Sequence, residues 1–291
     1  MQPSLLKQVV SASVSMGIAV ALSAAASPNA HGAAPATPVS LSSTSNSAPT
    51  PLTLTQVTTT TVEVGSAVEF SGTAQTKLSG LTVSLMRRDS KKSPWLKVGS
   101  SHVDSDGAFE VTGKAGKAGT NTWRAVIEDN RVRPARKYTS PSKRTTVYGW
   151  YFLTDRDPVD DHSQTGSYPM EISLTSGGKR FPRSMVFGSY TSSWEWNYPS
   201  WAEYNLSYRC LTLKASLGID DGSETGTNAT FFVSVDGARS AVGTLGLGPA
   251  AEISVDVSNS LRIRLEGVPN SRDLYGRGGF GDPQVLCKAA P

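Results

Sequence analysis

The chain has 291 residues, a formal net charge of +4, two cysteines and three histidines. Beyond the N-terminal segment, no run reaches the roughly 18 to 20 consecutive apolar residues that a membrane helix needs, so we expect no membrane span. The three histidines are far apart in sequence, which argues against a histidine-rich metal site for hydrolysis.

The first 26 residues have the pattern of a secretory signal peptide. Lys7 supplies a positive charge, a short alanine-rich apolar run follows, and Ala24 to Ala26 offer small residues for cleavage. An uncleaved N-terminal anchor is the alternative. Residues 27–52 are dominated by Ala, Ser, Thr, Pro and Asn, which predicts a disordered tether. We therefore expect a secreted, extracellular protein, either free or associated with a cell wall.

Residues 53–148 predict a first β-sandwich. Short strand-like runs alternate with glycines at intervals typical of antiparallel sandwiches. The segments 80–85, 95–98, 104–109 and 119–124 resemble the immunoglobulin-like spacer domains of bacterial surface and secreted proteins. That resemblance implies a module that presents or spaces other domains.

The charge is unevenly distributed along the chain. Residues 52–148 contain 15 Lys and Arg against 8 Asp and Glu, whereas residues 149–291 contain 12 against 16. The basic module is either a solvated surface or a contact for an anionic wall polymer or nucleic acid. Since no nucleic-acid-binding motif accompanies the charge, we do not predict a nucleic-acid partner.

Residues 149–167 predict a linker, and residues 168–291 predict a second, jelly-roll-like sandwich. Apolar and polar residues alternate in 211–219 and 229–236, as half-buried strands require. In the run 261–265, Leu261, Ile263 and Leu265 should share one face, and the two arginines the other. The predicted fold class is therefore all-β, with two β-sandwich domains after the signal peptide and tether.

The second domain, over about residues 168–288, resembles the NPCBM family, the novel putative carbohydrate-binding module. The resemblance is carried by Tyr204-Asn205-Leu206, Gly218-Ile219-Asp220-Asp221, Val233 to Gly237, Val255-Asp256-Val257 with Leu261-Arg262-Ile263, and Asp282-Pro283. It implies a noncatalytic glycan-binding domain. The histidine-containing stretch common before the Tyr-Asn strand is absent, and Phe280-Gly281 replaces a frequent tryptophan. Sugar specificity therefore does not carry over.

An aromatic segment stands where that histidine stretch would be. Trp194, Trp196, Tyr198 and Trp201 offer flat apolar faces that suit pyranose rings. Polar neighbours that could bond to sugar hydroxyls are Glu195 and Asn197. The alternative is that one or two of these rings close the end of the sandwich as core residues.

An acidic loop and a cysteine pair complete the candidate features. Asp220, Asp221 and Glu224 predict either a calcium site or a solvated turn, and no other cofactor is required. Cys210 and Cys287 predict a disulfide in an oxidising compartment. If Leu286 points inward, both sulfur atoms should lie on the outer face.

No catalytic residue is predicted. A glycoside hydrolase, the main enzymatic rival, needs two placed carboxylates, and the attractive acidic pairs fall in turns or in the linker. No Gly-x-Ser-x-Gly motif accompanies the histidines. We expect a secreted noncatalytic protein that binds a glycan or cell-wall polysaccharide. The alternative is a structural or protein-interaction module that has a protein partner.

Overall fold

The structure is a computed structural model that describes residues 51–58, 61–163, 170–189, 199–270 and 274–291. These residues form strands joined by turns, with two short 3-10 helices at Thr76–Leu78 and Leu153–Asp155. Within the described ranges, no helix is long and apolar enough to cross a membrane. The predicted signal peptide and most of the tether lie outside the described residues.

The first sandwich contains nine of the described strands. They are β1 (Thr55–Gln56), β2 (Val62–Glu63), β3 (Ala67–Thr73), β4 (Thr82–Arg88), β5 (Leu96–His102), β6 (Ala108–Lys114), β7 (Gly119–Asp129), β8 (Arg136–Thr139) and β9 (Lys143–Phe152). One sheet has the order β1-β3-β6, and the facing sheet includes β5-β4-β7 with β8 and β9 beside β7.

The core of this sandwich follows from the alternation of its strands. Phe70 on β3 and Trp123 on β7 are both buried, and their ring centroids lie 5.0 Å apart. Phe109, Val83 and Leu85 extend the same cluster. Apolar side chains from two facing sheets therefore interdigitate, as the sequence predicted for a sandwich.

The second sandwich contains the remaining described strands. They are β10 (Asp160–Ser163), β11 (Met170–Ser176), β12 (Lys179–Ser189), β13 (Ser200–Asn205), β14 (Cys210–Ile219), β15 (Asn228–Val235), β16 (Ala238–Gly246), β17 (Ala251–Asp256), β18 (Arg262–Pro269) and β19 (Gly276–Cys287). One sheet has the order β10-β13-β18-β15-β16, and the other contains β11-β12-β19 with β14 and β17.

Phenylalanine rings from both sheets meet in the second core. Phe231 on β15 lies 5.6 Å from Phe280 on β19, edge to face, and Phe187 on β12 lies 6.2 Å from the same ring. Ile263 and Leu265 are fully buried here, as the alternation predicted. Leu261 differs because β18 begins one residue later, and its side chain is exposed.

A two-residue turn between β15 and β16 shows why an Asp-Gly pair is needed there. Asp236 and Gly237 have φ values of 48° and 85°, which match the right-handed twist of a hairpin. The Asp236 carboxylate also accepts hydrogen bonds from the backbone N–H groups of Leu261, at 3.0 Å, and Arg262, at 2.7 Å. One side chain therefore links this hairpin to the start of β18.

Strand β9 belongs to both sandwiches. Its first part pairs with β7, where Val147 lies opposite Gly119, and its last part pairs with β19, where Phe152 lies opposite Gln284. Residues 149–152 and 160–163 therefore lie in strands, within the stretch that the sequence predicted as a linker. The alternation in 149–152 is weak because Trp150, Tyr151 and Phe152 are all bulky, which hid the strand.

The disulfide between Cys210 and Cys287 is present as predicted, and it closes a 77-residue separation. The predicted outward orientation is wrong, since both cysteines are buried in the second core. Val285 and Cys287 share the core face while Leu286 occupies the opposite one. On β14, a register shift after Cys210 changes the phase of the alternation, so that Cys210 and Leu213 both face inward.

Candidate functional site

The strand register places several connections of the second sandwich at one end. Ser189, the last residue of β12, lies opposite Gly276, and Ser200, the first residue of β13, lies opposite Gly267. Gly267 is near the end of β18 and Gly276 begins β19, so both lie next to the β18–β19 connection. The described residues on either side of segment 190–198 therefore lie at this end. We call this region, formed by residues 220–227, 247–250, 270 and 274–275, the loop end.

Asp220 and Asp221 anchor neighbouring backbone at the loop end. The two oxygens of Asp221 accept hydrogen bonds from the N–H groups of Gly177, at 2.7 Å, and Gly178, at 2.8 Å. Those glycines form the tip of the β11–β12 hairpin. Asp220 forms an ion pair with Arg277, at 3.4 Å. The acidic loop therefore fastens the hairpin tip to the end of β14.

Glu224 forms hydrogen bonds to the backbone of Tyr275, an exposed aromatic residue of the loop end. Its carboxylate accepts a hydrogen bond from the Tyr275 N–H at 2.7 Å, and its own N–H donates to the Tyr275 carbonyl at 2.8 Å. The Tyr275 side chain is 42% exposed. Within the described ranges, no group of three His, Cys, Asp or Glu residues is arranged to hold a metal ion.

Exposed polar side chains continue from the loop end onto the five-stranded sheet. The Asn270 amide nitrogen donates to the Thr230 hydroxyl at 3.0 Å, and this hydroxyl lies 2.9 Å from that of Thr244. Hydroxyl and amide groups of this kind donate and accept hydrogen bonds with similar ease. They suit the hydroxyls of a sugar.

Trp201 lies near the loop end on the outer face of the same sheet. It is half-buried, and the Arg264 guanidinium lies 3.7 Å from its ring centroid. Arg264 donates through Nε and Nη2 to the Glu203 carboxylate, at 3.1 and 2.9 Å. The His162 ring lies beside Trp201 at 6.0 Å, with an interplanar angle of 26°. Trp201 is therefore held in place by an arginine–glutamate pair.

A second arginine–glutamate pair stands beside the first. Arg239 donates through Nε and Nη2 to Glu266 at 2.8 and 2.9 Å, and its guanidinium lies 3.3 Å from the Phe232 ring centroid. The hydrogen bond to Glu266 raises the pKa of Arg239, with a further contribution from the negative charge. Both glutamates of this face are therefore engaged by arginine, and the face is charged, ordered and partly aromatic.

Comparison with known families identifies the second sandwich. Residues 155–283 match the NPCBM/NEW2 domain family. The match begins after β9 and ends before Cys287, so it covers β10 to β18 and most of β19. No curated protein matches the sequence significantly.

The motifs that signalled the NPCBM/NEW2 domain have structural roles in it. Asp236 joins its hairpin to β18, and Asp221 anchors the β11–β12 tip. Tyr204 is buried in the core, and Asn205 accepts a hydrogen bond from the Ser207 N–H at 2.9 Å. Because these residues make contacts within the fold, they indicate the family without specifying its ligand.

The predicted aromatic site of the NPCBM/NEW2 domain is only partly covered by the structure. Five predicted residues lie outside the described ranges: Trp194, Glu195, Trp196, Asn197 and Tyr198. Trp201 lies on β13, and its placement next to Arg264 was not predicted. Tyr275 was missed because it lies between a polar stretch and the glycine-rich run 276–281, where the sequence shows no strand pattern. Its position follows from its backbone hydrogen bonds to Glu224, which the sequence does not reveal.

Proposed function

We propose that this protein is a secreted, noncatalytic carbohydrate-binding protein whose NPCBM/NEW2 domain binds glycan at the loop end. The observation that supports the proposal most directly is the family match over residues 155–283. The exposed Tyr275 ring and the polar group of Asn270, Thr230 and Thr244 provide an apolar surface beside hydrogen-bonding groups. Sugar sites combine these two features.

In this proposal the aromatic segment completes the site. Trp194, Trp196 and Tyr198 belong to the connection whose flanking residues, Ser189 and Ser200, lie at the loop end. We propose that these rings stack on the sugar, with Glu195 and Asn197 bonding to hydroxyls. Trp201 borders the site, since it directly follows Ser200 at the start of β13.

Calcium is a separate part of the proposal, because Asp220, Asp221 and Glu224 are not arranged in advance as a metal-binding group. Asp220, Asp221 and Glu224 already accept backbone hydrogen bonds at the loop end. A calcium ion would have to draw these carboxylates together, using the lone pairs that the backbone hydrogen bonds leave free, and would so order the loop next to the sugar. Without calcium, the same carboxylates hold the loop through those hydrogen bonds and through the ion pair between Asp220 and Arg277.

The test is binding of the chain from residue 27 onward to a broad glycan array, in calcium and in chelator. A shorter fragment starting at residue 165 would lack β10 and the part of β9 that pairs with β19. Selective binding of one glycan class is the expected result, and loss in chelator would assign calcium to the acidic loop. A folded protein that binds no glycan in either condition contradicts the proposal and favours a protein-interaction module.

A further inference from the structure

A row of cationic side chains crosses the outer face of the first sandwich. Lys97 on β5, Met86 on β4 and Arg124 on β7 stand opposite one another in the sheet register. Adjacent strands are about 4.8 Å apart, so the backbones of Lys97 and Arg124 are separated by about 10 Å. Arg88 lies two residues after Met86, on the same side of β4. We call Arg88, Trp95, Lys97 and Arg124 the cationic face.

Two of these cations meet on a single aromatic ring. The guanidinium carbons of Arg88 and Arg124 lie 4.8 and 3.9 Å from the ring centroid of Trp95, so they are at most 8.7 Å apart. The negative charge density of the indole face attracts both groups. It does not neutralise them, and two like charges therefore remain close together.

The cations of this face lack counter-ions among the described residues. None of Arg88, Lys97 and Arg124 forms a salt bridge there, and the Nε atoms of both arginines are buried without a protein acceptor. Partial burial, and next the charge of Arg88, lower the pKa of Arg124. A bound anion would relieve the repulsion between these charges.

A cleft of about 750 Å³ adjoins two of these cations, Lys97 and Arg124. Its lining includes the hydroxyls of Thr82 and Ser84 and the apolar side chains of Met86 and Val126. This volume lies within the range of about 300–1,000 Å³ typical of ligand sites. Hydroxyls over an apolar floor suit a sugar ring.

The remaining cations around the cleft are already paired. Lys137 lies 3.3 Å from Glu128, and Arg131 lies 3.0 Å from Asp129. The unpaired positive charge is therefore that of Lys97 and Arg124, at one side of the cleft. This arrangement fits a ligand that carries anionic groups at intervals along an otherwise neutral chain.

We propose that the cationic face binds an acidic polysaccharide, with carboxylate or sulfate groups on Arg88 and Arg124 and a sugar ring over the cleft. Single-stranded nucleic acid fits less well, because it needs several rings on which bases stack. The ring of this face, Trp95, already contacts two guanidinium groups. The site lies on a different sandwich from the loop end, so it goes beyond the proposed function and does not depend on it.

The experiment measures binding of the chain from residue 27 onward to polygalacturonate and to dextran sulfate. Neutral dextran and a thymidine 20-mer are included for comparison. The test variant is Arg88→Gln/Arg124→Gln, and the matched control is Lys114→Gln/Lys117→Gln, which removes two exposed charges elsewhere in the same sandwich. We expect the test variant to lose about tenfold or more in affinity for at least one acidic polysaccharide, since charge-assisted bonds are lost.

A further variant and the comparison ligands distinguish the possible outcomes. If the arginine variant proves unstable, Lys97→Gln takes its place. Lys97 is exposed, so this variant should fold normally, and it should weaken binding severalfold. The two polymers distinguish a carboxylate-binding from a sulfate-binding face. Equal affinity of wild type, test variants and control would overturn the proposal. Tighter binding of the thymidine 20-mer, lost in the same variants, would replace it with nucleic-acid binding. Loop-end variants should leave polyanion binding unchanged.

Discussion

Replacing both Cys210 and Cys287 with alanine removes the covalent link between β14 and β19. The bond closes a 77-residue separation. In the chain-entropy model, such a loop restricts the unfolded state by about 4.5 kcal/mol at 25 °C. Both side chains are buried in the core, so the substitution also removes apolar packing. We expect the free energy of unfolding to fall by about 4 kcal/mol, allowing for residual structure in the unfolded chain.

Chemical unfolding followed by circular dichroism measures this change. Wild-type protein in reducing agent is the control, because it loses the bond but keeps both sulfur atoms, and it should resemble the double variant. Hydrogen exchange should accelerate most in β14 and β19 and then in β9, since Cys287 lies opposite Gly149. Unchanged stability in both the reduced protein and the double variant would refute the reasoning.

Two further predictions concern packing and pH. A Cβ at Gly281 would lie 2.6 Å from the Phe181 ring, so Gly281→Ala should lower stability by about 1–3 kcal/mol. Gly246→Ala, where the nearest atom would be at 3.6 Å, is the thermal-unfolding control, and equal effects would contradict the packing. The side-chain hydrogen bond from Arg131 lowers the pKa of Asp129, so its stabilising effect is complete above about pH 4 and is lost as pH falls through the lowered pKa. The difference in melting temperature between wild type and Asp129→Asn should therefore shrink as the pH falls from about 5 to about 2. A constant difference would argue against the ion pair.

Much of the all-β fold could be predicted from residue alternation. The pattern of Ile263, Leu265 and the intervening Arg264 fixes the faces of β18, and the Asp236-Gly237 pair fixes a hairpin. The continuity of β9 could not be predicted, because its partner in the second sandwich, β19, is more than one hundred residues away in sequence. The inward orientation of Cys210 depends on a register shift that leaves no mark in the sequence.

The residue types of the candidate site could be predicted from the sequence, but most of their arrangement in space could not. Tryptophans and carboxylates are visible in the sequence, and the acidic residues Asp221 and Glu224 do gather at the loop end. Their hydrogen bonds to Gly177 and Tyr275 depend on strand register, which the sequence does not reveal. The ion pair between Arg264 and Glu203, beside Trp201, likewise depends on which strands are neighbours.

The most direct test of glycan binding at the loop end compares two exposed tyrosines. Tyr275, 42% exposed, lies at the loop end, and Tyr208, 57% exposed, lies at the opposite end next to Ser260. Calorimetric titration should use the best glycan from the array with Tyr275→Ala and Tyr208→Ala. We predict that Tyr275→Ala lowers affinity about tenfold or more, as loss of an aromatic anchor does, and that Tyr208→Ala changes nothing. Equal affinities, or a loss confined to Tyr208→Ala, would contradict glycan binding at the loop end.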